Sequence, residues 1–190
     1  MTKPSAIYWE NPANNQRYAL DHLVDMEVII DLKVDNQIQS IPVQVKFTNH
    51  CYTRGKKEGD HPSMLVGKAH RAKNGDLLER VFCPIRWEYS KKLPDIIKDI
   101  SYKTCLHGSR GVEFIYRQDA TNQQNTHEGW YLCIKLALKD KRRLQLIINS
   151  CHHRNNRPAN IRPGSPKRFK MLVSEIIKKK KWSPEKQKPQ

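Results

Sequence analysis

No run of apolar residues in the 190-residue chain approaches the roughly 20 that a transmembrane helix needs. Met1 to Pro4 leads into polar sequence, without the apolar segment of a signal peptide. The five cysteines are never spaced as Cys-x-x-Cys, which argues against a disulfide framework and against the usual zinc-ligand pairs. These absences lead us to expect a cytoplasmic protein with free thiols, no membrane partner, no metal and no cofactor.

Acidic residues become scarce towards the C-terminal end, and the formal net charge of +16 is unevenly distributed. Residues 1–50 contain four Lys/Arg and six Asp/Glu, whereas residues 141–190 contain fifteen Lys/Arg and two Glu. Clustered cations gain affinity for phosphate polymers by releasing counterions. The asymmetry therefore favours a nucleic-acid partner, and the alternative is a solvated basic tail without a specific ligand.

Apolar and polar residues alternate in five segments, and this pattern predicts five strands. The segments cover residues 26–34, 41–47, 112–116, 130–138 and 144–148. The connections between the last three are too short for parallel crossovers, so we expect an antiparallel meander. The apolar face of the pattern predicts burial of Met26, Val28, Ile30, Val43, Val45, Leu132, Ile134, Leu146 and Ile148.

Two helices are predicted. One has Pro94 at its first position, buries a stripe of isoleucines and ends at His107-Gly108. The other is a closing amphipathic helix over Phe169 to Ile177. Residues 1–22 and 54–80 are predicted to be polar and irregular.

The predicted order of elements is β-β-α-β-β-β-α. This order is typical of an α+β fold with a mostly antiparallel sheet of about five strands and two helices. We expect a single domain over residues 1–177, followed by a basic, flexible tail over residues 178–190.

Two polar stretches, residues 47–55 and 149–154, each follow a predicted strand. Cleavage of RNA through its 2′-hydroxyl needs a base, an acid and cations that stabilise the phosphorane. Histidine titrates near neutral pH, and the planar guanidinium of arginine matches phosphate. The predicted catalytic residues are His50, Thr53, Arg54, Ser150 and His152. The two stretches must share a cleft for this composite site to exist.

Cys51 beside His50 and Cys151 beside His152 also raise the hypotheses of a thiol nucleophile or a zinc site. Neighbours on an extended chain project to opposite sides, so adjacency in sequence does not create a dyad. The His and Cys spacing also fits no usual zinc-ligand pair. Metal-independent cleavage fits these residues better, against the plain alternative of ordinary polar loops.

Arg86, Trp87 and Tyr89 suit a surface that stacks nucleic-acid bases beside a cation, although Trp87 could equally cover the core. Basic residues of the C-terminal third extend this set. The predicted nucleic-acid-binding residues are Arg86, Trp87, Arg142, Arg143, Arg154, Arg157, Lys178, Lys179, Lys180 and Lys181.

Two motifs resemble those of a known group. They are Phe-x-Asn-His-Cys-Tyr-Thr at residues 47–53 and Arg-x-Phe-Cys-Pro-x-Arg-Trp-x-x-Ser-x-x-Leu-Pro-x-Ile-Ile at residues 80–97. The chain resembles, from Phe47 to Ile177, an uncharacterised group of small proteins of bacterial phages and mobile elements. A helix followed by an antiparallel meander is also similar to the barnase–EndoU–colicin–RelE ribonucleases, at the level of the fold alone.

The leading hypothesis is a metal-independent ribonuclease that acts as a toxin or defence effector, with RNA favoured over DNA. The alternative is a non-catalytic nucleic-acid-binding or adaptor subunit of a phage-defence or mobile-element complex. Besides nucleic acid, the expected partner of the protein is a larger protein complex or an antitoxin. A third hypothesis is a protein-interaction module with a solvated tail.

The basic tail gives a first test. Replacing Lys178, Lys179, Lys180 and Lys181 by glutamine should flatten the dependence of log K on log salt for duplex DNA. The slope should fall by up to about 0.9 for each phosphate that the variant no longer neutralises, because each neutralised phosphate releases counterions. Fluorescence anisotropy at several salt concentrations measures this slope, and an unchanged slope would identify a solvated tail.

Overall fold

The computed structural model describes residues 7–34, 36–71, 77–107, 113–119, 128–139, 143–156 and 166–179. The strands within these ranges are β1 (Tyr8–Asn11), β2 (Gln16–Ala19), β3 (Met26–Val34), β4 (Gln37–Phe47), β5 (Thr53–Gly55), β6 (Leu65–Arg71), β7 (Leu77–Phe82), β8 (Thr104–His107), β9 (Glu113–Asp119), β10 (Gly129–Lys139), β11 (Arg143–Arg154) and β12 (Lys167–Arg168). The α-helices are α1 (Pro84–Ser90), α2 (Leu93–Lys98) and α3 (Phe169–Lys179). No helix in these ranges is long and apolar enough to cross a membrane.

The fold is α+β with mostly antiparallel sheets, as the sequence predicts. The largest sheet has seven strands in the order β12-β8-β9-β10-β11-β4-β3, instead of about five. Within it, β9, β10 and β11 form the predicted antiparallel meander. Two smaller sheets, β1-β2 and β5-β7-β6, complete the strands of the fold in the described ranges.

One pair of strands in the large sheet is parallel. β4 and β11 lie side by side from Val43 opposite Leu144 to Phe47 opposite Ile148. Because parallel strands point the same way, their carboxyl ends lie at the same edge of the sheet. β11 continues to Arg154 after β4 has ended, so the chain that leaves β4 turns beside the last residues of β11.

The core forms where the apolar face of the large sheet meets α2 and α3. Eight of the nine residues predicted to be buried are at most 7% exposed, and Met26 packs partly buried against the same core. α3 contributes Phe169, Leu172, Val173 and Ile177, which confirms the predicted closing helix. Removing this apolar surface from water is the main stabilising contribution to the fold.

Two segments predicted to be irregular contain strands. Residues 1–22 include the hairpin of β1 and β2, and residues 54–80 include parts of the sheet β5-β7-β6. The register between β6 and β7 shifts twice, near Gly67 and near His70. Such irregular pairing interrupts the period-two pattern, which is why alternation did not reveal these strands.

The predicted helix from Pro94 to His107 is also different in the structure. A helix not predicted from the pattern, α1, begins at Pro84, and α2 ends at Lys98. A 3-10 helix, Ile100–Tyr102, and β8 occupy the remainder. Pro84 and Pro94 each lie in the first turn of a helix, where a missing N–H costs nothing.

The alternation of β4 can be tested with a matched pair of substitutions. Ile41 is fully buried and Ile38, on the same strand, is 79% exposed. Ile41→Ala should lower the free energy of unfolding by about 2–5 kcal/mol, because it leaves a cavity in the core. Ile38→Ala should change it by less than about 0.5 kcal/mol. Urea denaturation measures both, and equal effects would contradict the burial of this face.

Candidate functional site

The two polar stretches meet at the shared edge of β4 and β11. The amide of Thr48 donates to the carbonyl of Ile148 (3.1 Å), and the Thr48 hydroxyl donates to the carbonyl of Asn149 (2.7 Å). The same hydroxyl accepts a hydrogen bond from the amide of His50 (3.3 Å) and so caps the 3-10 helix Asn49–Cys51. Thr48 therefore anchors the first stretch onto the second.

A β-bulge determines which way the second stretch points. Ile134 lies opposite Ile148, but Cys133 lies opposite Ser150, so Asn149 is an extra residue in β11. After the bulge, Cys151 faces the core. Ser150, His152 and Arg154 therefore share the other face, since strand side chains alternate.

The thiols of Cys51 and Cys151 lie inside this junction. Cys51 donates to the carbonyl of Ile148 (3.5 Å), and Cys151 donates to the carbonyl of Cys51 (3.2 Å). The hydrogen bond with Cys151, and then burial, raise the pKa of the Cys51 thiol well above its usual value. A buried thiol with a raised pKa is a poor nucleophile, so Cys51 holds the junction together through its hydrogen bonds instead of acting as a catalyst.

Two arginines converge on the main chain of the first stretch. Arg86, from α1, donates from Nη1 to the carbonyls of Thr53 (2.7 Å) and His50 (3.3 Å). Arg80, from β7, donates from Nη2 to the same Thr53 carbonyl (2.6 Å) and from Nε to the Thr53 hydroxyl (3.0 Å). Two guanidinium groups thus share one carbonyl oxygen.

No carboxylate of the described residues lies within ion-pair distance of the guanidinium of Arg80 or Arg86. The ion pairs among the described residues involve other cationic side chains. Burial, and then the charge of Arg86, lower the pKa of Arg80 to about 10. Burial also lowers the pKa of Arg86. Both remain charged at neutral pH, and partly buried like charges without a counterion form a site that an anion would stabilise.

His152 and Arg154 complete the cluster. Burial, then the charges of Arg154 and Arg86, lower the pKa of His152 to about 4. The half-buried imidazole is therefore neutral at pH 7 and is a proton acceptor in that state. Arg154 is exposed, so its guanidinium faces solvent at the mouth of the cluster. We call Arg80, Arg86, His152 and Arg154 the arginine site.

The structure changes the roles predicted for Thr53 and Arg54. Thr53 is fully buried, and its hydroxyl donates to the carbonyl of Asn49 (2.7 Å). Arg54 forms a two-pronged ion pair with Asp60 (2.6 and 2.5 Å), whose pKa it lowers to about 2. Neither side chain is therefore placed to bind a phosphate: Thr53 positions the arginines, and Arg54 closes the loop to Asp60.

The other predicted catalytic residues lie at the junction. The main chain of His50 accepts a hydrogen bond from Arg86, and the half-buried His50 side chain projects from the 3-10 helix beside β11. Ser150 is half-buried on the same strand face as His152. The parts of the chain that the structure describes hold no group of three or more His, Cys, Asp or Glu placed to bind a metal ion.

Those predicted nucleic-acid-binding residues that the structure describes do not form one surface. Trp87 donates its indole N–H to the carbonyl of Ala19 (2.9 Å) and packs edge-on against Tyr18, so one side of it is held by the hairpin of β1 and β2. Tyr89, predicted beside it, is buried. Arg143 lies at the opposite end of β11 from Arg154, and Lys178 and Lys179 end α3. Arg142, Arg157, Lys180 and Lys181 lie outside the described residues.

Sequence patterns did not identify Arg80 as part of the site. It lies in a segment predicted to be a loop, and its contact with Thr53 depends on the pairing of β5 with β7. The only sequence signal is its place at the start of an aromatic and arginine-rich stretch, residues 80–90. The composition of this stretch does not show which way the Arg80 side chain points.

The low pKa of His152 leads to a prediction about stability. Because the pKa in the folded state lies below the ordinary value of 6.5, the unfolded chain binds the proton first as the pH falls. The stability that neutral His152 contributes is complete above pH 6.5 and is lost between pH 6.5 and 4. His152→Gln should therefore reduce the fall in unfolding free energy across this window, as measured by urea denaturation.

The cause of the shift can be tested by NMR titration of the His152 ring. Arg154→Gln should raise the pKa of His152, because it removes a nearby positive charge. Arg17→Gln is the matched control, since Arg17 is exposed and pairs with Glu10 elsewhere. An unchanged pKa of His152 in the Arg154→Gln variant would show that the charge of Arg154 does not act on this imidazole.

Comparison with protein families identifies the family of this chain. The family model described as the YjaZ family matches residues 7–177, so the chain belongs to the YjaZ family. No curated protein and no solved structure matches the chain significantly. The matched range includes both polar stretches, α1 and most of α3.

Proposed function

We propose that this member of the YjaZ family is a nucleic-acid-directed protein that binds a backbone phosphate at the arginine site and cleaves RNA there without a metal ion. The observation that carries this proposal is the pair of guanidinium groups on the Thr53 carbonyl, without a carboxylate partner among the described residues. A phosphodiester supplies the missing negative charge and two acceptor oxygens. The net charge of +16 supports a polymeric anion over a small one.

The first catalytic role that we propose is that of His152 as the base. A neutral imidazole accepts the proton of the RNA 2′-hydroxyl, which then attacks the adjacent phosphorus and expels the 5′-oxygen. A group with a pKa of about 4 is a weak base in the free protein. A bound phosphate offsets the charges of Arg86 and Arg154, and this raises the pKa of His152 towards the range that suits catalysis.

The remaining roles follow from position. Arg86 and Arg154 stabilise the crowded, doubly charged phosphorane, where a fixed guanidinium is more effective than mobile water. His50 lies on the adjoining stretch and supplies the proton of the leaving 5′-oxygen. Ser150 donates a hydrogen bond to a phosphate oxygen from the same strand face as His152. Thr53 positions Arg80 and Arg86 through its hydroxyl and carbonyl.

An activity of this kind suits a toxin or defence effector, the role that we propose in the cell. The resemblance of residues 47–53 and 80–97 to proteins of phages and mobile elements supports that role. An antitoxin or a larger complex would then be the protein partner, because a free ribonuclease in the cytoplasm harms its host.

The second candidate function is binding without cleavage, as an adaptor in a nucleic-acid complex. Two of the five predicted catalytic residues favour it: Thr53 is buried and Arg54 is paired with Asp60. With fewer groups free for proton transfer, the same arginines would act as a clamp on the phosphate backbone. The two functions share the site and differ only in the chemistry.

Cleavage of labelled single-stranded RNA in excess EDTA tests the leading proposal. The wild-type protein should cleave, and His152→Ala should lower the rate by at least about 100-fold, the usual contribution of a general base. His61→Ala is the matched control, because His61 is exposed and caps the 3-10 helix Pro62–Met64, outside the site. Its rate should equal that of the wild type.

Binding of uncleavable RNA separates the two candidates. Arg154→Gln should reduce the salt slope of log K by about 0.7, the value for one phosphate contact on a single strand. Arg17→Gln is the control. A protein that binds in this way but does not cleave would be the adaptor, and an Arg154→Gln variant with unchanged slope would exclude the arginine site from binding.

A further inference from the structure

A pocket of about 510 Å³ lies between α1 and the start of β10. Its walls include Pro84, Ile85, Trp87, Glu88, Lys92 and Trp130. Three features distinguish it from ordinary surface: an aromatic wall, an exposed apolar rim and lysines at its edge. None of the roles proposed above uses them.

The aromatic wall is a stacked pair. The ring of Trp130 lies on that of Tyr89 with centroids 3.8 Å apart and planes 7° from parallel. Tyr89 is buried and Trp130 is half-buried, so Tyr89 supports the indole from inside while Trp130 lines the pocket. A rigid, supported indole presents a flat apolar surface without the entropy cost of ordering a mobile side chain.

The rim is apolar at one point and positively charged at others. Ile85 is 70% exposed and gives the rim an apolar surface. Lys92 lines the pocket, and the ammonium of Lys91 lies 3.8 Å from the ring centre of Trp87. The carboxylate of Glu88 is paired with Lys91 (2.7 Å), which leaves Lys92 to give the pocket its charge.

The pocket and the arginine site share two segments of chain. Ile85 and Trp87 flank Arg86 on α1. On β11, His153 lies between His152 and Arg154 and contacts the indole of Trp130 edge-on, with centroids 5.7 Å apart. The two sites therefore lie on either side of the end of β11, because neighbouring residues of a strand project from opposite faces.

We infer that this pocket holds an unstacked nucleobase of single-stranded RNA whose backbone phosphate occupies the arginine site. This inference rests on the proposed function and adds the substrate class. A flexible single strand can bend around the end of β11 and place one base against Trp130. A double helix keeps its bases stacked inside and cannot do so. Any base can stack on an aromatic ring. The pocket therefore distinguishes single-stranded from double-stranded RNA and does not distinguish one sequence from another.

Fluorescence anisotropy with three probes tests the inference: an uncleavable single-stranded RNA of about 12 nucleotides, within the usual range of single-strand site sizes, its duplex form and labelled inorganic polyphosphate. Trp130→Ala should weaken binding of the single strand by about 5- to 150-fold, the usual effect of removing one stacked base. Trp130→Phe should retain most of the affinity, because it keeps a ring. Binding of polyphosphate, which has no bases, should be unchanged in both variants.

A second pair of variants covers the case in which Trp130→Ala does not fold. Ile85→Asp adds a negative charge to the pocket rim at an exposed position and should weaken binding of the single strand, with polyphosphate binding reduced much less. Ile38→Asp is the matched control, since Ile38 is 79% exposed on β4. Its affinity for all three probes should equal that of the wild type.

Two results would overturn the inference. One is unchanged affinity of Ile85→Asp for the single strand, which would leave the pocket to a different occupant such as an apolar side chain of a partner protein. The other is an equal reduction in affinity for the single strand and the duplex. Failure of the proposed function is a separate result, because Arg154→Gln would then bind all three probes as the wild type does.

Discussion

The parallel alignment of β4 with β11 is the constraint on which the rest of the structure depends. It brings together two polar stretches that lie about one hundred residues apart in the chain, as the hydrogen bond between Thr48 and Asn149 shows. The bulge at Asn149 supplies the carbonyl that Thr48 binds, and it directs His152 and Arg154 away from the core. Without this pairing, the stretch that contains His50 would not lie beside His152 and Arg154.

The arginine site costs the folded protein stability. Arg80 and Arg86 both donate to the Thr53 carbonyl, and burial lowers the pKa of each, which means that the folded protein disfavours their charges. A structure selected for stability alone would pair them with carboxylates, as it pairs Arg54 with Asp60. Helix α1 links this charge to the aromatic pocket, because it presents Arg86 to one and Ile85 to the other.

The sequence by itself determines the regular parts of the fold. Alternation in β3, β4, β10 and β11 predicts both the strands and their buried faces, because one face of each strand must be apolar to join the core. The spacing of Phe169 to Ile177 predicts α3 for the same reason. Short strands such as β5 and bulged ones such as β6 leave no such pattern, because few of their residues repeat at a fixed period.

The site is determined by sequence only as a set of residues. His50 and His152 could be identified as candidates from sequence because each follows a segment with alternating apolar residues. A polar residue at the end of such a segment does not contribute to the apolar core. Their proximity depends on the parallel pairing of distant strands, which local periodicity does not encode. Arg80 and Arg86 converge from β7 and α1 on the buried Thr53, and Arg54 pairs with Asp60. These contacts depend on side-chain directions that only the tertiary structure decides.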